Sequence, residues 1–532
     1  MNNKYVVLKP NVVIEPLVAR WHAWPYLISP STLGLYVANR HLALLESFTA
    51  APDVHAAACK NPALRGGPFV DLPASSIPEV KALIESTKKD QSLQIAFASA
   101  WRDAYRTLIE QADGFSIETF YARLPAALKG FVELTYTLAG APEMRLIEPL
   151  LYRDALHQHA LQSSMMYLSP GDDRSFAFST PRLPRSDAFE LDKPFHDEVY
   201  DFLSELRFKP QPISQVYAAL GVGPEGNDLV DSFLNEVSQS SVTAYSKPQQ
   251  KRWRYLGHAC VLVETAGGKS VLIDPIVAYS AGKEGDVERF TFADLPDHID
   301  YVLLTHNHAD HVLLETLLAL KSKIGTLVVP KSGGSLVDPS LKLMFKSIGF
   351  GDVQEMDALD EISSGDLGIV ALPFLGEHGD LDIRSKAAWL VKAGDQKLLF
   401  AADSNNLEPR LYDLIRQHFG AVNTLFLGME CLGAPVSWTY GPLLPMPLDR
   451  KKDQSRRLNG SDCERGLRVI ESLGCQDVFV YAMGAEPWLQ FITSIDPAET
   501  TVPAVNAQKL VQTCLEKGIR AKRLFGKDEA II

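Results

Sequence analysis

The sequence predicts an α/β fold of the α+β kind, in which an αββα sandwich follows a separate, mainly helical N-terminal domain. The chain has 532 residues, enough for more than one domain. The spacing of apolar residues is mostly helical in the first half and strand-like in the second. A polar, proline-containing and basic stretch at residues 240–253 separates the two patterns and is typical of a linker. We therefore expect domains at residues 1–245 and 246–532.

Helical periodicity dominates the N-terminal part. The segments AFASAWRDAYRTLIEQA and TFYARLPAALKGFVELTYTLAG carry apolar residues at three- and four-residue spacing. Short extended pieces open the chain, and a proline-rich loop, STPRLPRSDAFELDKP, interrupts it. His157 and His159 lie on a further segment predicted to be helical. Residues two apart do not share a helix face, so we expect no metal site there.

Strand-like apolar runs follow one another after the linker, with helical stretches between some of them. Many strands with interleaved helices fit a sandwich of two sheets covered by helices. The predicted helices span residues 312–321, 407–418, 463–473 and 506–517. The predicted strands lie in YLGHACVLVE, KSVLIDP, DYVLLTH, TLVVP, GIVALPF, AAWLVKA, KLLFAAD, NTLFLG and DVFVYAM.

Composition excludes several classes of protein. The net charge of −13 argues against a nucleic-acid binder, which normally carries a basic domain. No stretch approaches the long uncharged apolar run that a membrane helix needs, and the first residues make a poor secretory signal. The six cysteines form no C-x-x-C pair, which favours a reducing compartment. We expect a cytoplasmic protein.

A cluster of metal-binding side chains, HNHADH, follows the predicted strand DYVLLTH. His306 and His308 are two apart, so in extended chain they point to the same side and can reach one metal ion. Asp310 and His311 precede an apolar helix, and the turn into it lets them serve a second ion. Two-metal sites need such divided donors, with the ions roughly 3.5–4 Å apart. The alternative is a polar loop whose histidines only form hydrogen bonds. Three histidines and an aspartate within six residues would have little structural use in such a loop.

The spacing H-x-H-x-D-H matches the signature of the metallo-β-lactamase superfamily, and GHACVLVE and VLIDP resemble its first strands. The resemblance covers residues 253–490 and implies three further ligands: a histidine, a bridging aspartate and a last histidine. Either Glu377 or His378, after GIVALPF, could take the third-histidine place, and Asp403 fits the bridging aspartate. No histidine follows DVFVYAM, so the last ligand of the hydrolases is missing.

This departure changes the expected metal. Zinc hydrolases hold a hydroxide between metals with histidine-rich ligand sets. Iron that activates oxygen prefers mixed histidine and carboxylate donors with vacant positions. We therefore expect two iron ions, with zinc as the alternative. Glu377 is favoured as the ligand over His378, and the residue not used would orient the site by hydrogen bonding.

The layout of the whole chain resembles the CmlA-like diiron β-hydroxylases. Chain length, domain order, the metal motif and the G-E-H after the later strand agree, and LKPNVVIEPLVARWHAWPYLIS resembles the start of their N-terminal domain. The resemblance implies a monooxygenase that uses O2 and an external electron donor or reductase. Its substrate would be an amino acid held as a thioester on a carrier domain of a nonribosomal peptide synthetase, hydroxylated at Cβ during antibiotic biosynthesis. It also implies a homodimer, with an N-terminal domain that shapes dimerisation and helps to receive the carrier.

The same resemblance implies roles for individual residues. One iron would be held by His306, His308 and Glu377, and Asp403 would bridge to the second. The second would be held by Asp310 and His311. In the superfamily, the position of Asp274 supports the metal-binding histidines, although a turn-capping aspartate is an equal alternative.

Other candidates come from their place at strand ends. His258 is interpreted as a packed or pocket-edge histidine that supports the site rather than as a ligand. Glu430 follows an apolar strand, where burial of an unpaired carboxylate is costly, so it is a candidate catalytic group or labile iron partner, or else an exposed loop residue. Glu486 is a weaker candidate. The aromatic loops around Trp438 and Tyr440 could line a substrate channel, with simple packing slightly preferred for any one residue.

The run DRKKDQSRR at residues 449–457 is a basic island in an acidic chain. Carrier domains are usually acidic, so this island could bind one, although a solvated loop is the commoner explanation.

Two other functions compete with the hydroxylase. A zinc-dependent hydrolase, such as a thioesterase, lactonase or phosphodiesterase, fits the first motif alone. The missing last histidine and the carboxylate at residue 377 argue against it. A binding module with a degenerate site is opposed by the intact motif and by Asp403. The sequence leaves open whether the substrate side chain is leucine or an aromatic one.

Overall fold

The computed structural model describes residues 4–169, 171–239, 245, 248–280 and 287–532. Part of the predicted linker, residues 240–244 and 246–247, lies outside the described residues. From residue 252 onward the chain forms a sandwich, and before it lies a part that mixes helices and small sheets. Within the described ranges, no helix combines the length and hydropathy needed to cross a membrane.

The N-terminal part packs helices around three small sheets. Its two longest helices are amphipathic and bury Val80, Phe97 and Trp101. The strands are β1 (Tyr5–Leu8), β2 (Val12–Val18), β3 (Trp21–His22), β4 (Val132–Tyr136), β5 (Pro142–Leu146), β6 (Gln162–Leu168), β7 (Ala188–Leu191), β8 (Gln211–Pro212) and β9 (Leu234–Val237). The helices are α1 (Pro25–Ile28), α2 (Pro30–Tyr36), α3 (Leu42–Ala50), α4 (Pro52–Cys59), α5 (Ile77–Asp90), α6 (Ser92–Gln111), α7 (Glu118–Tyr121), α8 (Glu148–Leu151), α9 (Glu198–Leu206), α10 (Ile213–Leu220) and α11 (Asp228–Ser232).

Two segments predicted to be helical fold differently, whereas AFASAWRDAYRTLIEQA is confirmed as part of α6. In TFYARLPAALKGFVELTYTLAG only α7 and a short turn are helical, and the second half forms the hairpin of β4 and β5. Val132 and Leu134 are buried on either side of the exposed Glu133, so the apolar period there is two. The segment that carries His157 and His159 consists of turns and a short 3-10 helix at His159–Leu161 rather than an α-helix.

Two seven-stranded sheets form the second half. The strands are β10 (Arg252–Gly257), β11 (Cys260–Glu264), β12 (Ser270–Ile273), β13 (Ile299–Leu303), β14 (Ile324–Pro330), β15 (Val353–Met356), β16 (Glu361–Ser364), β17 (Leu367–Leu372), β18 (Ala388–Ala393), β19 (Gln396–Phe400), β20 (Thr424–Gly428), β21 (Asp477–Tyr481), β22 (Arg520–Arg523) and β23 (Asp528–Ile531). The helices are α12 (Leu314–Ala319), α13 (Leu341–Ser347), α14 (Arg410–Phe419), α15 (Val436–Tyr440), α16 (Arg450–Ser455), α17 (Cys463–Leu473), α18 (Gln490–Thr493) and α19 (Val502–Glu516). The sheet orders are β15-β14-β13-β12-β11-β10-β23 and β16-β17-β18-β19-β20-β21-β22.

The predicted strands and helices of this half are confirmed. Each predicted strand run contains a strand of one of the two sheets, and the predicted helices correspond to α12, α14, α17 and α19. The strands that the sequence did not reveal are β15, β16, β22 and β23, which are the outer strands of the two sheets. An outer strand is partly solvated, so it lacks the continuous apolar run of a central strand.

Apolar side chains fill the spaces between four layers. Trp253, Trp389 and Phe400 belong to the core between the two sheets. The outer face of the second sheet packs against α14, α17 and α19 through a second core. The first sheet packs against α12, α13 and the N-terminal part in one continuous core. The αββα sandwich is therefore confirmed, and the N-terminal part lies against one of its sheets.

Strand direction determines where the functional side chains meet. In the first sheet β12, β13 and β14 are parallel, and in the second β19, β20 and β21 are parallel. The carboxyl ends of parallel strands lie at one edge of a sheet, where α/β proteins place their ligands. HNHADH follows β13, and Asp403 and Glu430 follow β19 and β20.

Trp389 links the inter-sheet core to the metal motif. Its indole Nε1–H donates to the carbonyl of Leu304 at 3.0 Å, two residues before His306. We predict that Trp389→Phe lowers the free energy of unfolding by about 2–4 kcal/mol, because it leaves a buried carbonyl unpaired and a cavity beside it. Urea unfolding measures the change. Trp253→Phe removes the same ring volume from the same core without affecting Leu304. An equal loss in both variants would contradict the role of this hydrogen bond.

Candidate metal centre

Three groups of potential metal ligands adjoin one another at the strand ends. His306, His308 and Glu377 form one group, in which the ligand atoms lie within 4.8 Å of one another. His306 and His311 form a second group with Asp403, and His311 also belongs to a third with Asp310 and His258. The shared histidines connect the groups, with Asp403 in the middle one. This is the arrangement that two neighbouring ions with a bridging carboxylate require.

Buried atoms without partners show that the donor set fits metal ions. The Nε2 atom of His306 and Oδ1 of Asp403 are buried and have no hydrogen-bond partner. The buried carboxylate of Glu377 faces Nδ1 of His308 at 2.8 Å and Nδ1 of His378 at 2.7 Å. Buried polar atoms are rarely left unpaired, because each one costs free energy, and an ion can take their place as partner. Imidazole nitrogens mixed with carboxylate oxygens are donors that suit iron.

Metal binding needs neutral imidazoles and ionised carboxylates, and three of the donors already have these charge states. Burial, with His311 nearby, holds the pKa of His306 well below its usual value, so the imidazole is neutral. Burial would raise the pKa of Glu377, but His308, His378 and His306 outweigh it and hold that pKa well below normal. For Asp310, burial is likewise outweighed by the hydrogen bond from His258, and its pKa is lowered. Burial would lower the pKa of His308 and of His311, but nearby carboxylates, Glu377 and Asp403 respectively, outweigh it and raise both, so these two imidazoles must release a proton when an ion binds.

Asp274 orients the metal motif through hydrogen bonds. Its carboxylate accepts from the Thr305 N–H at 2.7 Å, from the Thr305 hydroxyl at 2.6 Å and from Nδ1 of His311 at 2.8 Å. With Nδ1 of His311 donating to Asp274, Nε2 is left as the free nitrogen, 3.2 Å from Oδ2 of Asp403. Carboxylates commonly fix the tautomer of metal-binding histidines in this way. The geometry favours the supporting role of Asp274 over a simple turn cap.

His258 lies beside Asp310, and its hydrogen bonds favour a supporting role. Its Nδ1 accepts from the N–H of Gly484 at 3.0 Å, so the proton of the neutral ring is on Nε2. That Nε2–H lies 3.3 Å from Oδ2 of Asp310 and can orient the carboxylate, but it offers no lone pair to an ion. Glu486 holds this loop by accepting from the His258 N–H at 3.0 Å and from the Tyr255 hydroxyl.

Glu486 occupies the loop in which the hydrolases would carry their last histidine. From its sequence position Glu486 was only a weak candidate, because a carboxylate in a loop is usually solvated. The structure buries it, with its carboxylate fixing the backbone of His258. Its signal in the sequence was its position after the strand DVFVYAM. Thr305 was missed altogether, since a threonine beside a histidine motif has no distinctive pattern.

Glu377 and His378 have different surroundings. Oε1 of Glu377 lies 2.8 Å from Nδ1 of His308, inside a ligand group. His378 belongs to no ligand group among the described residues, and its Nδ1 lies 2.8 Å from the Tyr440 hydroxyl and 2.7 Å from Oε2 of Glu377. Glu377 also has a φ of 72°, a left-handed conformation that is unfavourable for glutamate. Such backbone strain is typical of functional sites, and the geometry favours Glu377 as the ligand.

Other non-glycine residues around the centre share this conformation. His258, Asp274 and Ala402 have φ values of 51°, 41° and 48°. All three are buried, which holds them in conformations that short peptides avoid. Gly428 is required nearby for a different reason, because a Cβ there would lie 2.6 Å from Oδ1 of Asp403.

A cavity of about 480 Å³ opens onto the ligand groups and lies between the two parts of the chain. Its metal-side wall contains His308, Asp310, Glu377, Asp403 and Glu430. Its other walls include the aromatic side chains of Trp24, Phe176, Phe178 and Trp438. Burial, with Asp403 adding to it, raises the pKa of Glu430 to about 7. Glu430 therefore places a carboxyl that can gain or lose a proton near neutrality beside the centre.

Comparison with known proteins identifies the chain. Residues 7–237 match the family described as diiron non-heme β-hydroxylase N-terminal domain, and residues 269–435 match the β-lactamase superfamily domain. The 4-amino-L-phenylalanyl-[CmlP-peptidyl-carrier-protein] 3-hydroxylase of Streptomyces venezuelae is 37% identical over 522 residues, which cover 97% of this chain and 98% of that protein. The chain belongs to the CmlA family of diiron β-hydroxylases.

The structural comparison agrees. The crystal structure of CmlA, a diiron β-hydroxylase from Streptomyces venezuelae, superposes with a TM-score of 0.92 at 36% identity and covers 100% of both chains. A metal-dependent hydrolase of Enterococcus faecalis is 27% identical over 160 residues, only 28% of this chain. The expectation of a diiron hydroxylase is confirmed over the zinc hydrolase and the binding module. This CmlA-family enzyme has iron as its cofactor.

The two candidates at residues 377 and 378 can be separated by experiment. We predict that Glu377→Ala in this CmlA-family enzyme loses most of its bound iron, because it removes an anionic donor from the group with His306 and His308. His378→Ala should retain both ions with a smaller loss of affinity. Iron determination by plasma emission spectrometry measures both. Full iron content in Glu377→Ala with loss in His378→Ala would reverse the assignment.

Proposed function

We propose that this enzyme hydroxylates the β-carbon of an amino acid bound as a thioester to a carrier domain of a nonribosomal peptide synthetase, with two irons, O2 and an external electron donor. The observation that carries the proposal is the cavity, which joins the buried mixed-donor centre to walls from the N-terminal part. The Streptomyces venezuelae relative acts on an aminoacyl peptidyl carrier protein. Iron ions, when bound, would supply the oxidation of the C–H bond by O2.

The residues around the centre have distinct tasks in this proposal. His306, His308 and Glu377 would hold one ion, Asp310 and His311 would hold the other, and Asp403, which shares a ligand group with His306 and His311, would serve both. Asp274 and His258 keep the donors in their tautomers and orientations. The Glu430 carboxyl lines the cavity, and its pKa is raised to about 7. It is therefore placed to exchange protons there.

The cavity walls indicate the class of side chain. Trp24, Phe176, Phe178 and Trp438 contact one another edge-on or tilted, with ring centroids 5.1–6.2 Å apart. Aromatic rings in such arrangements bind apolar and aromatic groups well and disfavour desolvated charge. We propose an aromatic or large aliphatic side chain on the substrate.

The proposal also covers the domain boundaries, the oligomeric state and the source of electrons. The domains are residues 1–245 and 246–532, the chain forms a homodimer, and a reductase supplies the electrons. Molar mass in solution and the rate of iron reduction by candidate donors test the dimer and the reductase.

We expect the iron-loaded, reduced enzyme with O2 to add one oxygen atom to aromatic or aliphatic aminoacyl carrier thioesters. Intact-protein mass spectrometry of a panel of loaded carrier domains measures the mass gain. The free amino acids are the controls and should remain unchanged, because the carrier contributes to recognition. Release of the amino acid from the carrier without a gain of oxygen would instead indicate thioesterase activity and contradict the proposal.

The basic helix α16 provides the proposed carrier surface. Arg450, Lys451 and Lys452 are exposed, while the flanking residues support the cavity wall. Asp453 accepts from the N–H of Ser437 at 3.0 Å, and Arg457 donates to the carbonyl of Gly433 at 2.7 Å. Ser437 and Gly433 both line the cavity. A carrier bound at α16 would therefore stand beside the route to the metal centre.

Charge reversal tests this surface. We predict that Lys451→Glu combined with Lys452→Glu raises KM for the aminoacyl carrier several-fold and leaves kcat unchanged, with a smaller effect at high salt. Steady-state kinetics at two ionic strengths measure it. The matched control is Lys81→Glu with Lys89→Glu on the exposed face of α5. Equal effects of the two pairs would show a general charge effect and refute the surface.

A further inference from the structure

The short helix α15 connects the metal centre to the N-terminal part. Its last residue, Tyr440, is buried, and its other residues include the cavity-lining Ser437 and Trp438. The last carbonyls of any helix lack partners within the helix and must find others. In a helix of five residues, almost every carbonyl lacks a hydrogen-bond partner within the helix. The formation of α15 therefore depends on donors from outside it.

The N-terminal part supplies those partners. The Tyr36 hydroxyl donates to the carbonyl of Thr439, and the Arg40 guanidinium donates to the carbonyls of Trp438 and Ser437. Just beyond the helix, the amide of Asn39 donates to the carbonyl of Pro442 at 2.7 Å. These donors lie at the end of α2 and in the π-helical turn at residues 37–41. We call this set, Tyr36, Asn39 and Arg40, the N-terminal clamp.

At the other end of this connection, the Tyr440 hydroxyl lies between two histidines. It is 2.8 Å from Nε2 of His308 and 2.8 Å from Nδ1 of His378. The other nitrogen of His308, Nδ1, faces Glu377 within the ligand group. A neutral imidazole that gives the lone pair of Nδ1 to a metal must carry its proton on Nε2. The oxygen of Tyr440 is the acceptor for that proton. Its contact with Nδ1 of His378 is shared, because that nitrogen also lies 2.7 Å from Oε2 of Glu377.

We propose that Tyr440 is a positioning residue of the diiron centre, and that the N-terminal clamp holds it in place. Tyr440 fixes the ring of His308 from the side opposite the ion, as outer hydrogen bonds commonly do for metal-binding histidines. The N-terminal part is thereby a structural component of the iron site. This inference depends on the metal centre and not on the substrate proposed above, so its failure would leave the carrier-bound substrate untouched.

The direct test is Tyr440→Phe, which keeps the ring and removes the hydroxyl. We expect the affinity for ferrous ion to fall roughly tenfold to a hundredfold, the range typical of lost outer-sphere partners. Anaerobic equilibrium dialysis of Fe²⁺ against a competing chelator measures the affinity of the full-length chain. The visible absorption of the oxidised, iron-loaded form should shift as well, because the ligand field of His308 changes. Circular dichroism verifies that the fold is retained.

The matched control is Tyr200→Phe. Tyr200 is also a buried tyrosine, and its hydroxyl bonds to Ser164 and to the carbonyl of Lys193, within the N-terminal part. It should lose stability to a similar degree yet bind iron as the wild type does. Wild-type affinity and spectrum in Tyr440→Phe would overturn the role of Tyr440, and so would an equal loss of affinity in Tyr200→Phe.

The clamp is tested by Tyr36→Phe, alone and combined with Tyr440→Phe. Tyr36→Phe should weaken iron binding less than Tyr440→Phe does, and the double variant should resemble Tyr440→Phe, because the clamp acts through that tyrosine. If Tyr440→Phe does not fold, Tyr36→Phe still tests the connection, since it removes one hydroxyl remote from the ligands. Unchanged iron affinity in Tyr36→Phe, or additive losses in the double variant, would overturn the clamp.

Discussion

The structure depends on the burial of polar donors that the protein alone does not satisfy. His306 and Asp403 each present a buried atom without a hydrogen-bond partner, and both face the same region as the buried carboxylate of Glu377. Burying ionised carboxylates is unfavourable unless an opposite charge compensates. An iron pair would provide that charge, and the Asp274 carboxylate, which accepts hydrogen bonds from Thr305 and His311, fixes the metal motif before the ions bind. The rest of the fold brings these groups to one sheet edge.

Several residues of the centre are held in conformations that a free peptide would rarely adopt. The left-handed backbones of His258, Asp274 and Glu377 cluster around the ligands. Each costs on the order of 1–3 kcal/mol, so the packing of the sandwich must compensate for all of them. The inter-sheet core around Trp389 contributes directly, since its indole anchors the strand that ends in the metal motif. Stability of the sandwich and precision of the centre are therefore linked.

The sequence predicted what depends on local pattern and missed what depends on distant contacts. HNHADH was recognisable because its donors are close in the chain, and the central strands because they are apolar throughout. The outer strands β15, β16, β22 and β23 lack such runs. Glu377 was favoured over His378 from the chemistry of iron ligands alone, because no spacing rule reveals the left-handed turn at Glu377. Tyr440 was considered only as a channel wall, because its partners His308 and His378 are 132 and 62 residues away in the chain.

The continuous core between the first sheet and the N-terminal part has a further consequence. Side chains of both parts belong to one apolar cluster, and buried ion pairs such as Arg174 with Glu315 cross the boundary. A shorter protein that began at the sandwich would expose this surface to water and leave the Glu315 carboxylate without its guanidinium. The N-terminal part and the sandwich therefore depend on each other for burial and charge compensation, so replacing either with an unrelated domain would leave apolar surface and a buried carboxylate without partners at their boundary.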